Sequence, residues 1–146
     1  MSSQSSELTS PSRPRILVDH SLGRKAVPEF FRGEGFDTTT IFDFFGRTDV
    51  PDTEWIKVAG EQDIVVACKD ARIRYRPAER QAVMDARLRM LCLTSGNMTT
   101  FDQVECFRSN LSAIERWWNT PGPWILAVRR AGVESLSLDS NAGAEV

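Results

Sequence analysis

Three aspartates stand where an active site at the edge of a β-sheet would place them. Asp19 ends an apolar run of β-branched and aliphatic residues, and Asp70 closely follows a second such run. Asp52 lies on a loop that leads into a predicted helix. In a parallel sheet the carboxyl ends of the strands share one edge, so we expect the three carboxylates to converge there. They would repel one another, and Mg²⁺ or Mn²⁺, which prefer oxygen ligands, would relieve that repulsion.

A cation held by carboxylates has a defined chemistry. One or two Mg²⁺ ions activate a water, hold a phosphate and stabilise the leaving oxygen of an in-line displacement. No histidine base is needed, which fits a chain whose only histidine is His20. His20 adjoins Asp19 and is therefore a candidate additional site residue, although strand alternation would turn the two side chains to opposite faces. The structural alternatives are a helix N-cap for Asp52 and surface-loop carboxylates for Asp19 and Asp70.

The charge distribution favours a polyanionic substrate. The formal net charge of −2 excludes a protein that coats nucleic acid by bulk charge. Locally, however, residues 29–54 carry seven acidic and two basic side chains, whereas residues 69–89 carry seven basic and three acidic ones. Guanidinium groups beside a carboxylate centre suit phosphate binding, and a solvated helix edge is the alternative. The candidate substrate-binding residues are Lys69, Arg72, Arg74, Arg76 and Arg80.

The pattern of apolar residues predicts strands that alternate with helices, and hence a parallel sheet with helices on both faces. Strands are expected over residues 15–19, 38–42, 63–68, 89–94 and 124–128. Helices are expected from about residue 22, with Pro28 causing a kink or a late start, over 53–62, and from Pro77. The clearest helix follows a stripe stepping by three or four residues, formed by Phe101, Val104, Phe107, Leu111, Ile114 and Trp118.

Composition sets the expected limits of the fold. Residues 1–14 are predicted to be a disordered Ser-rich leader, residues 15–133 the folded domain, and residues 134–146 a flexible tail. The three cysteines are odd in number and lack any CxxC spacing, so the sequence signals neither a disulfide framework nor a zinc site, and a reducing, cytoplasmic setting is expected. No stretch reaches the roughly 18 apolar residues that cross a bilayer.

Aromatic residues outside the main stripe have two interpretations. Phe42, Phe44 and Phe45 surround Asp43 and would form either an exposed patch for a partner or part of the core. Three tryptophans are predicted to pack in the core or between subunits rather than to stack on bases: Trp117, Trp118 and Trp124.

Three segments together resemble a known family. They are ILVDHSLGRK, then DVPDTEWIKVAGEQDIVVACKDARIRYRPAERQAV, then RMLCL, and they resemble the PIN-like domains of VapC-type toxins. The resemblance implies a three-layer α/β/α fold and a Mg²⁺- or Mn²⁺-dependent endoribonuclease. It further implies a homodimer held inactive by a cognate antitoxin. Asp19, Asp52 and Asp70 match the acidic positions of the family.

This chain departs from the family pattern at three places. Cys68 stands where relatives usually have Ser or Thr, so a hydroxyl near the metal is expected to be missing. Ser21 replaces a common Asn. A fourth acidic ligand has no clear match, and the candidates are Glu54, Asp49 and Asp102.

Two other functions remain open at this point. One is a PIN-like module that has lost catalysis and only binds protein or RNA. The other is a phospho-accepting receiver domain, which also places aspartates at strand ends and for which Thr94 is suitably positioned. Against the receiver, His20 follows Asp19 where a second acidic residue is expected, and Arg129 and Arg130 follow the last strand where a lysine is expected.

Overall fold

Five parallel strands and one antiparallel strand form a single sheet. The structure, a computed structural model, describes residues 13–69, 71–94 and 97–138. Within these ranges the strands lie in the spatial order second, first, third, fourth, fifth, sixth, and only the sixth runs antiparallel to its neighbour. They are β1 (Arg15–Val18), β2 (Thr38–Thr40), β3 (Ile64–Cys68), β4 (Arg89–Leu93), β5 (Trp124–Arg129) and β6 (Gly132–Leu136).

Six α-helices connect the strands in this part of the chain. They are α1 (Ala26–Gly33), α2 (Ile41–Phe45), α3 (Asp52–Glu61), α4 (Pro77–Ala86), α5 (Thr100–Ser109) and α6 (Leu111–Trp117). Short 3₁₀ turns at His20–Leu22 and Ala71–Tyr75 precede α1 and α4. The first helix therefore starts late, as expected, because Leu22 belongs to a separate turn and Pro28 sits in the first turn of α1, where a missing N–H costs little.

The sheet is buried on both faces, which gives three layers. On β1, Ile16 and Val18 pack in a cluster with side chains of α1, α5 and α6. Leu17 points the other way and packs in a second cluster with Trp55 of α3 and Val83 of α4. Strands covered on both sides are apolar along their whole length, which is what the sequence shows. The predicted three-layer α/β/α fold is confirmed.

The long amphipathic helix expected over residues 101–118 is two helices, so this prediction was wrong in detail. The break is at Asn110, which is buried. Its side-chain amide donates to the carbonyl of Cys106 at 2.8 Å and to that of Arg129 at 2.7 Å. An asparagine that bonds to backbone competes with the helix ladder, and here it ties α5 to the end of β5. Phe101, the first member of the apolar stripe, is 70% exposed rather than buried.

Two further boundaries differ from those expected. Residue 52 is the first residue of α3 rather than its N-cap, because Pro51 holds the cap position. The strand expected over residues 38–42 ends at Thr40, whose hydroxyl accepts from the backbone N–H of Asp43 at 3.1 Å and so caps α2. The short α2 replaces the loop expected around the three phenylalanines.

The end of the fold lies further along than predicted. Residues 134–136 continue β6, which pairs with β5, so the expected start of a flexible tail at Glu134 was wrong. Gly132, with φ of +151°, allows the tight connection between the two strands. Most of the expected leader, residues 1–12, and residues 139–146 lie outside the described residues. No helix in the described ranges is long and apolar enough to cross a membrane.

Gly60 tests the close packing of α3 on α4. A Cβ atom at Gly60 would lie 2.4 Å from the Cβ of Ala86 and 2.5 Å from its carbonyl oxygen. We expect Gly60→Ala to lower the free energy of unfolding by about 1–3 kcal/mol, measured by urea denaturation, because overpacking outweighs the helix propensity of alanine.

Gly33→Ala is the matched control, since a Cβ there meets no atom within 4 Å. It should leave stability unchanged or raise it by up to about 1 kcal/mol. Equal stabilities for the two variants would contradict the close approach of the helices.

Candidate active site

The strand order places a crevice between β1 and β3. The chain leaves β1 to one side towards β2 and returns to the other side at β3, and ligands bind at the carboxyl edge of a sheet at such a point. Asp19 directly follows β1, and Lys69 directly follows β3. The backbone N–H of Asp19 donates to the carbonyl of Ala67 at 2.9 Å, so the ends of the two strands are held together.

Asp19 is a nearly buried carboxylate, with a side chain that is 12% exposed. It caps the 3₁₀ turn that follows, because its Oδ2 accepts from the backbone N–H of Ser21 at 3.2 Å. The hydroxyl of Ser21 donates to the same oxygen at 2.5 Å. Oδ1 accepts no hydrogen bond within the described part of the chain, and Nδ1 of His20 lies 3.6 Å from it. One carboxylate oxygen is thus fixed and the other is open to a ligand.

Ser21 joins the ends of the neighbouring strands β1 and β3. While its Oγ donates to Asp19, it also accepts from the backbone N–H of Lys69 at 3.2 Å. The hydroxyl therefore positions Asp19 relative to the residue that immediately precedes Asp70. Sequence reasoning missed this role, although the D-x-S spacing of a side chain bonding two residues on is a signal for it.

Cys68, the last residue of β3, belongs to the core. Its side chain is buried in the core, with Sγ 3.6 Å from Sγ of Cys92 on the neighbouring strand. A hydroxyl was expected to be missing because Cys68 replaces Ser or Thr, and the structure supplies one from Ser21 instead. The loss of a hydroxyl at position 68 next to a bound metal stays a prediction.

His20 lies beside Asp19 rather than on the opposite face. The strand ends at Val18, so the alternation of a strand does not extend to residues 19 and 20. The His20 side chain is 57% exposed and its Nδ1 is 3.6 Å from Oδ1 of Asp19. At that distance it makes an ion pair when protonated and no hydrogen bond.

Asp52 is held at the start of α3, at the same edge of the sheet. Its Oδ1 accepts from the indole N–H of Trp55 at 3.0 Å, and its Oδ2 lies 3.7 Å from Nη1 of Arg76. The first contact fixes the Asp52 carboxylate to Trp55, which lies about one helical turn further along α3. The second links the starts of α3 and α4, and it joins the acidic segment to the basic one.

The candidates for a fourth acidic ligand are engaged elsewhere. Glu54 pairs with Arg47 at 3.0 Å, and Asp49 contacts the same guanidinium at 3.4 Å. Hydrogen bonds to Glu54 and then to Asp49 raise the pKa of Arg47. Because helix positions two apart do not share a face, Glu54 points away from Asp52. Asp102 pairs with Arg130 at 3.1 Å.

A metal would bind at Asp19 if it binds at this edge. The side chain presents one oxygen without a hydrogen bond, and carboxylate oxygens suit Mg²⁺ or Mn²⁺. Asp70, the third predicted ligand, lies outside the described residues. Among the residues that are described, no three histidine, cysteine or acidic side chains are grouped so as to hold an ion.

The predicted phosphate-binding residues divide into two groups. Arg74 and Arg76 have protein partners: Nη1 of Arg74 donates to the carbonyl of Ser137 at 3.5 Å, and Arg76 lies near Asp52. Arg72 is exposed on the turn after β3, and Lys69 and Arg80 are partly exposed. Of the five side chains Arg72 is the most accessible to a phosphate, because it alone is exposed and the other four are partly buried.

A second basic concavity lies at the opposite edge of the sheet. This cleft of about 810 Å³ is lined by four arginines, including Arg13, Arg87 and Arg89. Arg89 donates to the carbonyl of Trp118, and Arg13 donates to that of Glu34. Helix C-termini point to this edge, so two of its arginines satisfy exposed carbonyl groups and stabilise the fold.

Ser21 gives a test of the link between β1 and β3. Ser21→Ala removes one donor from a buried carboxylate and one acceptor from a backbone N–H. We expect the free energy of unfolding to fall by about 1–3 kcal/mol in urea denaturation, and Ser21→Thr to retain most of it.

Ser109→Ala is the matched control. Its hydroxyl makes one contact, 3.5 Å from the carbonyl of Cys106 at the far end of α5. That change should stay within about 0.5 kcal/mol of the unmodified protein. If Ser21→Ala left the free energy of unfolding unchanged, the hydrogen bonds of Ser21 between β1 and β3 would not stabilise the fold.

Comparisons with known proteins identify the family. The family described as "PIN like domain" matches residues 14–95. A protein of Mycobacterium tuberculosis named "Putative ribonuclease VapC45" is 34% identical over 116 residues, which cover 77% of this chain and 84% of that protein. No solved structure gives a significant match. The resemblance seen in the sequence is confirmed: the chain belongs to the PIN-like domain family and is a relative of VapC-type proteins.

Proposed function

We propose that this protein is a metal-dependent endoribonuclease that hydrolyses RNA phosphodiester bonds. The observation that carries the proposal is the Asp19 carboxylate, which is nearly buried at the crevice between β1 and β3 and fixed through one oxygen by Ser21. A carboxylate held rigidly with its other oxygen open is what a hard cation requires. The similarity to a protein named as a ribonuclease supports RNA as the substrate.

Asp19, Asp52 and Asp70 are the proposed catalytic and metal-binding residues. In the sequence Asp19 and Asp70 follow the neighbouring strands β1 and β3, and Asp52 begins α3 at the same edge. A bound Mg²⁺ or Mn²⁺ supplies an activated water and neutralises charge on the phosphate. The chain's own contribution is orientation, because Ser21 fixes Asp19 and Trp55 fixes Asp52 before substrate arrives. Glu54 and His20 remain candidates for an additional role.

Phosphate binding is assigned to the basic residues after β3. Lys69, Arg72 and Arg80 are at least partly exposed beside the carboxylates, and Arg74 and Arg76 extend the basic segment. One guanidinium group can donate two parallel hydrogen bonds to the oxygens of a phosphate, and it remains charged at every physiological pH.

The biological role proposed is that of the toxin in a type II toxin–antitoxin pair. The similarity to a VapC protein supports a cognate antitoxin as partner, and a homodimer in the cytoplasm is part of the same proposal. The three cysteines are buried and none takes part in a disulfide, which fits a reducing compartment. Membership of the PIN-like family removes the basis for the receiver-domain alternative.

The nuclease proposal is tested by removing the carboxylates one at a time. We expect the purified protein to cleave RNA with Mg²⁺ or Mn²⁺ and to lose cleavage in EDTA. Asp19→Asn and Asp70→Asn should each lower the rate at least about 100-fold, because a lost ligand removes charge stabilisation of the transition state. Rates are measured on end-labelled RNA, and growth arrest is scored on expression without a partner protein.

Asp85→Asn is the matched control, since Asp85 is an exposed carboxylate of α4 that contacts Gln81 and lies away from this edge. It should cleave at the unmodified rate. If the unmodified protein cleaves no RNA with either metal, the nuclease proposal fails and a catalytically inactive PIN-like binding module takes its place.

Phosphate binding is tested by the salt dependence of RNA affinity. Arg72→Gln should weaken RNA binding. The plot of log association constant against log salt concentration should become less steep by about one, because one phosphate contact is lost. Arg87→Gln is the control, because Arg87 is exposed at the opposite edge of the sheet. Equal slopes for the two variants would contradict the assignment of Arg72.

A further inference from the structure

Phe101 is an apolar residue that the fold leaves uncovered. It begins the apolar stripe of the α5–α6 region, yet it is 70% exposed, whereas Phe107 in the same stripe is fully buried. The described part of the chain offers Phe101 no ring or cation contact. A single exposed apolar side chain is common on protein surfaces, so its position relative to the site decides whether it has a role.

The topology puts Phe101 at the Asp19 edge of the sheet. Helices α1 and α5 pack side by side on one face, with the Arg108 guanidinium 5.2 Å from the ring centre of Phe30. Both helices follow parallel strands and so begin at the carboxyl edge. Phe101 is the second residue of α5. Long side chains in a helix lean towards its N-terminus, which directs this one out over the edge.

Two other exposed aromatic side chains lie at the same edge, and each is covered by an arginine. Arg24 lies 4.5 Å from the ring centre of Phe42, just after β2, and Arg74 lies 4.3 Å from that of Tyr75, after β3. Phe101 follows β4. Within the described residues no cation covers the ring of Phe101, and the same edge of the sheet carries Lys69, Arg72 and Asp19.

We propose that Phe101 is a base-stacking residue, which takes an unpaired base of the RNA strand whose phosphates bind at the Asp19 edge. The inference rests on the proposed function. An aromatic ring among cations matches a single strand of nucleic acid, which presents charge and a flat apolar face in alternation. In a duplex the base faces are covered by stacking, so Phe101 favours single-stranded RNA or a loop.

RNA suits this surface better than an apolar protein segment. The exposed ring is isolated, because the other large apolar side chains exposed in the described ranges are Phe42, Tyr75 and Met84, and the first two are covered by arginines. A docking helix or strand would need a contiguous apolar patch. A single unpaired base can stack on one aromatic ring.

The experiment measures binding of two end-labelled strands by fluorescence anisotropy. One is oligoadenylate and the other has the same backbone with abasic sugars. Both are bound in Mg²⁺ to full-length protein carrying Asp19→Asn, which prevents cleavage. Adding Phe101→Ala should weaken oligoadenylate binding about 5- to 100-fold and leave the abasic strand unchanged, because only stacking is lost. Phe101→Trp should restore binding.

Met84→Ala is the matched control, since Met84 is 41% exposed in the last turns of α4, away from this edge. It should bind both strands as before, and all variants should melt within about 2 °C of one another because each change is at an exposed position. Equal loss on both strands, or no loss on oligoadenylate, would overturn the stacking role. So would a Phe101→Ala protein that binds RNA normally and loses affinity only for its antitoxin.

The two proposals fail separately. If the unmodified protein cleaves no RNA but binds oligoadenylate through Phe101, the nuclease proposal is wrong and the stacking residue stands. If the unmodified protein cleaves RNA and Phe101→Ala binds both strands normally, the nuclease stands and the stacking residue is wrong.

Discussion

The Asp19 carboxylate is nearly buried, and the hydrogen bonds around it replace the water that it loses. An ionised carboxylate loses several kcal/mol of solvation on burial unless donors replace the water. Ser21 supplies two donors, its backbone N–H and its hydroxyl, and both reach the same oxygen. The hydroxyl then accepts from Lys69, so satisfying the charge also fixes β1 against β3. The remaining oxygen of Asp19 accepts no hydrogen bond from the described residues and is available to a ligand.

The small net charge of −2 conceals an acidic and a basic segment that meet at this edge. Acidic and basic residues cluster in separate segments of the sequence, and the fold brings the segments together as Asp52 and Arg76. Glu54 is turned to Arg47 instead, because two residues along a helix is the wrong spacing to share a face. A compact region with both signs of charge suits a substrate that is bound by its phosphates and cut through a cation. The exposed ring of Phe101 adds a feature that charge alone does not give, a means of distinguishing an unpaired base from a duplex.

Most of the fold could be predicted from the order of apolar runs, and the errors share a cause. Strands β1, β3, β4 and β5 are buried on both faces, so their apolar character is continuous and easily recognised. The short α2 and the edge strand β6 were missed because each has only five residues, which is too few to show a clear period. The single helix expected over residues 101–118 is interrupted by Asn110, whose partners include Arg129, distant in sequence. A local sequence pattern cannot reveal a hydrogen bond to a strand that is distant along the chain.

The sequence by itself determined the fold class, the family and the positions of the candidate aspartates, because strand-end carboxylates and apolar periodicity are local properties. Tertiary structure alone decided which neighbours those side chains have. In the folded chain Cys68 is buried in the core, Ser21 bonds to both strand ends, and His20 lies beside Asp19. Phe101 is exposed to solvent, although its spacing fits a buried stripe. The physical reason is that spacing fixes the direction of a side chain relative to its own element. Burial and hydrogen bonding depend on which other elements pack against that direction.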